Sequence, residues 1–328
     1  MRALITGING FVAGHLAELL LRHDWELAGL ALSPVLRHAS LHGRVRPFGA
    51  DLRHPGVVRA VLADWIPDVI FHLAAQAHVP TSHADPTGTI SNNLLGQLQL
   101  LEAVRASGAD PLIVVACTGE EYGAVRPEDL PVDEDTPLRP NNPYALSKVA
   151  QDMLALQYHL GYGIRTIRLR LFNHIGPGQD DAFVTAAFAH QIARVEAGRQ
   201  EPVLRVGNLE GQRDFTDVRD VVRAYELAAT HGVPGEVYNI GTGHAVSVRR
   251  ILDMLIGLSS ARIAVEPDPA RMRPVDVPII ACDATRFRRQ TGWQPEIGLE
   301  QSLADILDYW RVRVRDEPRA GSLPESVG

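Results

Sequence analysis

Lysine is almost missing from this chain: of its 32 basic side chains 31 are arginine, and Lys148 is the one lysine. Cysteine is nearly as scarce. Cys117 and Cys282 are alone in 328 residues, too few for a disulfide framework and suited to a reducing, cytoplasmic setting. No apolar run approaches the ~20 residues of a membrane span, so no membrane association is expected. The strand-like Arg2-Ala3-Leu4-Ile5 leaves no signal peptide to expect. Positive charge is not in excess either, and a net charge of −7 argues against a nucleic-acid partner. Any phosphate ligand must then be held by local donors. His38 and His42 have the i, i+4 spacing of metal ligands but no third ligand nearby, so they read as surface residues and no metal is expected.

What is present is an alternation of strands and helices. Met1 to Thr6 reads as a buried strand, Gly7-Ile8-Asn9-Gly10-Phe11-Val12-Ala13-Gly14 as a glycine loop, and the leucine-rich stretch after it as a helix. In that order these elements form a dinucleotide-binding turn. Gly7 permits the turn, Gly10 lets the backbone approach a pyrophosphate, and small Ala13 allows close packing, with the phosphates on the helix N-terminus. The second strand, Glu26 to Leu32, ends in Leu32-Ser33, with neither the acid that favours NAD nor the arginine that favours NADP. Arg37 could reach a 2′-phosphate, so NAD(H) and NADP(H) both stay open. Further strands are expected at Val45–Gly49, Val69–Ala75, Leu112–Ala116 and Arg165–Leu171, with helices at Pro55–Trp65, Thr87–Ser107 and Pro143–Leu160. The fold class is therefore α/β: a Rossmann-type, doubly wound parallel sheet with ligands beyond the strand C-termini. After Leu171 the alternation breaks, and a smaller, interleaved C-terminal α/β lobe is expected.

The lone lysine lies four residues after Tyr144, and chance would place it after one of the seven tyrosines about one time in fifty. Positions i and i+4 share a helix face, so the ammonium can lie beside the phenol and is expected to lower its pKa from ~10. A phenol tuned in this way can exchange a proton with a carbonyl or alcohol oxygen. The compact ammonium can also bond a ribose hydroxyl, which a guanidinium fork does not replace. Thr118, at the end of the fifth strand, could bond the same substrate oxygen, and Glu120 is the nearby candidate for a carbon-acid base.

These motifs together resemble the extended short-chain dehydrogenase/reductases that act on nucleotide sugars. The marks are Thr6-Gly7-x-x-Gly10-Phe11, Asp51-Leu52, His72-Leu73-Ala74-Ala75, Tyr144-x-x-x-Lys148 and Arg273-Pro274-x-Asp276. Within the family, Asn173-His174-Ile175-Gly176-Pro177-Gly178-Gln179 and Arg213-Asp214-Phe215-Thr216-Asp217 are similar to the branch that works on GDP-mannose derivatives, the GDP-4-keto-6-deoxy-mannose reductases in particular. The resemblance implies Thr118, Tyr144 and Lys148 as the catalytic set, which Glu120 joins as the candidate base. It implies a cofactor surface of Gly7, Asn9, Gly10, Phe11, Val12, Ser33, Arg37, Asp51, Leu52, Leu73, Ala74, Ala75, Gln76, Asn93 and Leu171 with Tyr144 and Lys148. For the sugar nucleotide it implies His78, Asn173, Val184, Asn208, Arg213, Arg273 and Asp276. Residues 1–172, with 211–242 returning to them, would form the dinucleotide domain. Residues 173–210 and 243–315 would form the nucleotide-sugar lobe, and 316–328 a disordered tail. The expected chemistry is reduction of a 4-keto sugar, with a redox-neutral 4,6-dehydratase or 4-epimerase and a non-catalytic dinucleotide sensor as alternatives. A homodimer is expected.

Overall fold

The computed structural model describes residues 1–272 and 277–317. The first half runs β1 (Arg2–Thr6), α1 (Phe11–Arg22), β2 (Glu26–Ala31), β3 (Val45–Gly49), α2 (Val57–Asp64), β4 (Val69–His72), α3 (Val79–Ala84), α4 (Pro86–Ser107), β5 (Leu112–Thr118), α5 (Pro143–Tyr162) and β6 (Thr166–Leu171). The second half runs β7 (Asn173–Ile175), α6 (Val184–Glu196), β8 (Val203–Val206), β9 (Gln212–Asp217), α7 (Val218–His231), β10 (Val237–Ile240), β11 (Ala245–Ser247), α8 (Val248–Gly257), β12 (Ala264–Pro267), β13 (Ile279–Ile280), α9 (Thr285–Thr291) and α10 (Leu299–Asp316).

Seven strands form one parallel sheet in the order β3-β2-β1-β4-β5-β6-β10. The chain direction across the sheet reverses between β1 and β4, so the crevice for a ligand opens there, at the strand C-termini. Successive side chains on a strand point to opposite faces. Ala3, Ile5 and Leu169 meet Val221 and Tyr225 of α7 on one face, while Leu4 and Ile70 meet Leu100, Leu101 and Ala155 of α4 and α5 on the other. With both faces covered, β5 and β6 are buried almost throughout, as parallel strands between helices must be.

Helix α5 is bounded by local chemistry. Asn142 Oδ1 accepts from the Ala145 amide at 2.8 Å, Pro143 takes the first turn, and Gly163 closes the helix at φ 70°. The start of α1 has no side-chain cap, which leaves the N–H groups of its first turn open toward the crevice.

Three boundaries and the environment of one histidine differ from the sequence expectation. Strand β4 stops at His72, because Leu73–Ala75 leave the sheet to cross the glycine loop, where the Ala74 amide donates to Thr6 Oγ1 at 3.2 Å. The segment 211–217 belongs to the second lobe: β9 pairs with β7, β11 and β13, so the return to the large sheet begins at Val218. That lobe also holds the β8–β12 pair and has its own core, built on Phe188, Ile192, Leu204, Ile251, Leu255 and Leu303. The expected tail start at 316 falls inside α10, and Glu317 beyond it pairs with Arg194 at 3.0 Å; residues 318–328 lie outside the described residues. His38 is not a plain surface residue, since its ring packs against Gly14 and its Nε2 lies 3.3 Å from the Gly10 carbonyl.

At the dinucleotide turn Gly7 carries a close approach, with φ +74° and an added Cβ only 2.9 Å from the Ala74 backbone. Gly7→Ala should lose at least about 1–2 kcal/mol in denaturant unfolding and weaken dinucleotide binding. An unchanged unfolding midpoint would show that the crossing at Ala74 relaxes freely.

Candidate active site

β5 delivers Thr118 to the crevice and α5 delivers Tyr144 and Lys148 beside it. All three are buried, with Thr118 8%, Tyr144 8% and Lys148 4% exposed. The Thr118 hydroxyl lies close enough to the Tyr144 phenol to lower its pKa. Lys148 Nζ donates to the Ala116 carbonyl at 2.8 Å. The expected depression of the phenol pKa is not what results. Burial holds the Tyr144 pKa well above its ordinary value, Thr118 opposes this, and the nearby Glu120 and Glu121 add to it. The lysine itself is lowered by burial. The phenol is therefore kept in its protonated form.

The turn after β5 is set by a capping box. Thr118 Oγ1 accepts from the Glu120 amide at 3.3 Å, and Glu121 Oε1 accepts from the Thr118 amide at 2.9 Å. Glu120 is half-buried on this turn. At Gly119 an added Cβ would sit 3.1 Å from the Phe172 ring, a tight fit.

Beneath the turn lies a buried charge cluster that the sequence reading missed. Arg168 and Arg170 alternate on β6 and so share its α5 side, where Asp152 takes Arg168 Nη1 and Arg170 Nε at 2.8 Å each. Arg170 also donates to the Tyr122 hydroxyl at 3.1 Å, and that hydroxyl donates to Asn239 Oδ1 at 2.7 Å. Cys117, Glu121 and Asp152 bring ligand atoms within 4.8 Å of one another, but the two guanidiniums already supply the positive charge there. The signal available in the sequence was two arginines on an otherwise apolar strand, which demand a buried acid.

The family described as GDP-mannose 4,6 dehydratase matches residues 4–306. The chain belongs to that family. It is 39% identical over 318 residues to the GDP-6-deoxy-D-mannose reductase of Pseudomonas aeruginosa, covering 96% of this chain and 99% of the relative. It is 30% identical to a GDP-mannose 4,6-dehydratase of Vibrio cholerae, covering 93% and 92%. Among solved structures, RMD from Pseudomonas aeruginosa complexed with NADPH superposes with a TM-score of 0.85 at 37% identity, covering 95% and 99%. The Thermus thermophilus UDP-glucose 4-epimerase complex with NAD reaches 0.85 at 32% identity, also covering 95% and 99%.

The residues expected to hold the dinucleotide of this family fall into two groups. Gly7, Gly10 and Val12 form the loop and open helix start, and Leu73, Ala74, Ala75 and Leu171 line the strand ends. Asn9 ties this loop to the segment after β2, its side chain donating to the Val35 carbonyl and accepting from the Arg37 amide, both at 2.9 Å. Ser33 Oγ accepts from the Val35 amide at 3.2 Å. The other group is committed to protein partners. Arg53 grips Asp51 from 3.0 Å and holds its carboxyl down at about 2, and Leu52 packs against Gly96. Asn93 is buried, bonded to the Gln76 backbone and to Ser147, and so positions the loop after β4. The Phe11 ring stacks on His174 at 6.3 Å, linking the glycine loop to the second lobe.

Of the substrate set, Asn173 opens β7 opposite Phe215 on β9, two residues from Arg213. Arg213 is buried and donates to the Val277 carbonyl at 2.6 Å. Asn208 Oδ1 accepts from the Glu210 amide, Val184 opens α6, and His78 caps α3 with its ring edge-on to Phe183. Arg273 and Asp276 lie outside the described residues. His72 was missed as a site neighbour. It is buried between Thr6 Oγ1, at 2.9 Å, and Gln151, and burial with the nearby Lys148 holds it neutral, its pKa brought down to about 3.

Asp152→Asn should cost roughly 3–5 kcal/mol in urea unfolding, because it removes the charge that two buried guanidiniums share. A loss below about 1 kcal/mol would mean that both find other partners.

Proposed function

We propose that this chain reduces the 4-keto group of a nucleotide-linked 6-deoxy sugar, converting GDP-4-keto-6-deoxy-D-mannose to GDP-D-rhamnose at the expense of NADPH. The observation that carries this reading is the buried, protonated Tyr144 phenol beside Thr118 at the C-terminal edge of β5. A phenol held neutral is poised to give a proton, as a ketone reduction needs.

The bound dinucleotide supplies a hydride to C4. Tyr144 Oη gives its proton to the forming O4 alkoxide, so the ketone becomes an alcohol and the phenolate is left to recover its proton from solvent. Thr118 orients the oxygen. Lys148, anchored by Ala116, places a positive charge near the phenolate that forms. The uncapped start of α1 and the glycine loop fit a pyrophosphate. No acid follows β2, so a 2′-phosphate meets no repulsion there, and the similarity to the NADPH-bound RMD supports NADPH over NADH. Arg213 and Asn173 on adjoining strands are suited to the diphosphate side of the substrate, and the similarity to the Pseudomonas reductase supports a GDP sugar. Glu120, beside the phenol, keeps a dehydratase as the second reading, since loss of water across C5 and C6 needs a base. Two buried free cysteines fit a cytoplasmic protein, and no helix among the described residues is long and apolar enough to cross a membrane.

We further propose a homodimer through α4 and α5. Leu146, Met153 and Leu160 recur every seven residues on α5 and remain exposed, Leu160 by 75%, with Leu95 of α4 also exposed.

Two measurements test these readings. With GDP-4-keto-6-deoxy-mannose generated in place, NADPH absorbance should fall stoichiometrically and faster than NADH absorbance. Tyr144→Phe should lower turnover a hundredfold to ten-thousandfold, as a rough range, while cofactor binding stays. Retained turnover would sink the assignment, and conversion of GDP-mannose itself without NADPH loss would favour the dehydratase. Leu160→Glu should shift sedimentation from dimer to monomer; a monomeric parent chain would dispose of the dimer.

A further inference from the structure

A buried carboxylate is costly, and an apolar side chain of the same volume at position 121 would be cheaper to bury. Glu121 is nonetheless 0% exposed, directly under the turn that carries Thr118. Its two oxygens are treated unequally. Oε1 accepts from the Thr118 amide at 2.9 Å, whereas Oε2 makes no hydrogen bond and lies 3.5 Å from Arg170 Nε. That guanidinium is already taken, since Asp152 binds the same Nε at 2.8 Å. Glu121 thus has one firm bond, to the backbone of Thr118, and only a share of a charge.

We propose that Glu121 is a positioning residue for the reduction: its carboxyl group fixes the main chain of Thr118, and so the hydroxyl that orients Tyr144, while its charge governs how readily Tyr144 releases its proton. This rests on the function proposed above.

The groups facing Glu121 come from every neighbouring element. Cys117 and Thr118 lie on β5, Tyr144, Lys148 and Asp152 on α5, Arg168 and Arg170 on β6, and Glu120 and Tyr122 on its own turn. Burial, with Asp152 adding to it, pushes Glu121 up to about 8, against the pull of Arg170, the Thr118 amide and Lys148. Below that pH the side chain is a neutral acid, and above it a carboxylate. The sign follows. An anion under the phenol raises the phenol pKa and makes Tyr144 a poorer acid, so the neutral form of Glu121 favours reduction. Turnover of the keto sugar should fall as pH rises through about 8. The side-chain carbonyl of a glutamine keeps an acceptor for the Thr118 amide without the charge. A leucine keeps neither.

The test is the pH dependence of kcat for NADPH-linked reduction, at saturating keto sugar, in the intact chain and in Glu121→Gln, Glu121→Leu and Tyr144→Phe. The intact chain should lose roughly tenfold in kcat from about pH 7 to about pH 9, and Glu121→Gln should flatten that limb. Glu121→Leu should lower kcat by roughly tenfold at every pH, with the KM for NADPH moving less than about twofold. A parent-like limb in Glu121→Gln overturns the proposal. The absence of any limb in the intact chain does so too, without relying on a variant that folds. A rise in the cofactor KM matching the loss of kcat in Glu121→Leu marks a general loss of structure and also overturns it. Turnover retained by Tyr144→Phe is a separate failure, of the function reading itself, and takes this proposal with it.

Discussion

Asp152 lets β6 carry two arginines through the middle of a sheet that is covered on both faces. Neither guanidinium could be buried alone, because the cost of taking a cation out of water exceeds what packing returns. One carboxylate on α5 meets both at 2.8 Å, and so pins the helix that carries Tyr144 and Lys148 to the strand beside β5. The catalytic turn is built on that junction. Arg170 extends it through the Tyr122 hydroxyl to Asn239 on β10, so the last strand of the sheet is tied to the same cluster.

The polarity of the site follows from burial more than from any single charge. Tyr144 and Lys148 are both desolvated, and desolvation drives each toward its neutral form, the phenol upward and the ammonium downward. A lysine rather than an arginine suits this place, since a compact ammonium can reach the Ala116 carbonyl in a buried position. The proton donation proposed for Tyr144 uses the phenol in the form the fold already favours.

The two lobes meet at the glycine loop. Phe11, the first residue of α1, stacks on His174, and His15 Nε2 lies 2.8 Å from the Pro177 carbonyl. The helix whose uncapped start is proposed as the phosphate site is thereby in contact with the first turn of the second lobe.

Local sequence determined the elements and their order. Glycine at 7 and 10 before an apolar helix, Asn142-Pro143 opening α5, and short apolar runs between helices each follow from backbone and packing rules that act within a few residues. The pairing of Tyr144 with Lys148 was legible for the same reason, because i, i+4 on a helix is a local distance. Tertiary structure decided what depends on partners far along the chain. It placed 211–217 in the second lobe, since the strands that pair with β9 come from residues 173–175, 245–247 and 279–280. It turned Leu73–Ala75 out of the sheet over Gly7, a contact between segments more than sixty residues apart. It also set the charge of the site: the sequence placed an ammonium beside a phenol, but only the packed surroundings fixed how much water each had lost, and that loss raised the phenol where proximity alone would have lowered it. The role of Glu121 likewise depends on the fold, which places Thr118, Arg170 and Asp152 around it.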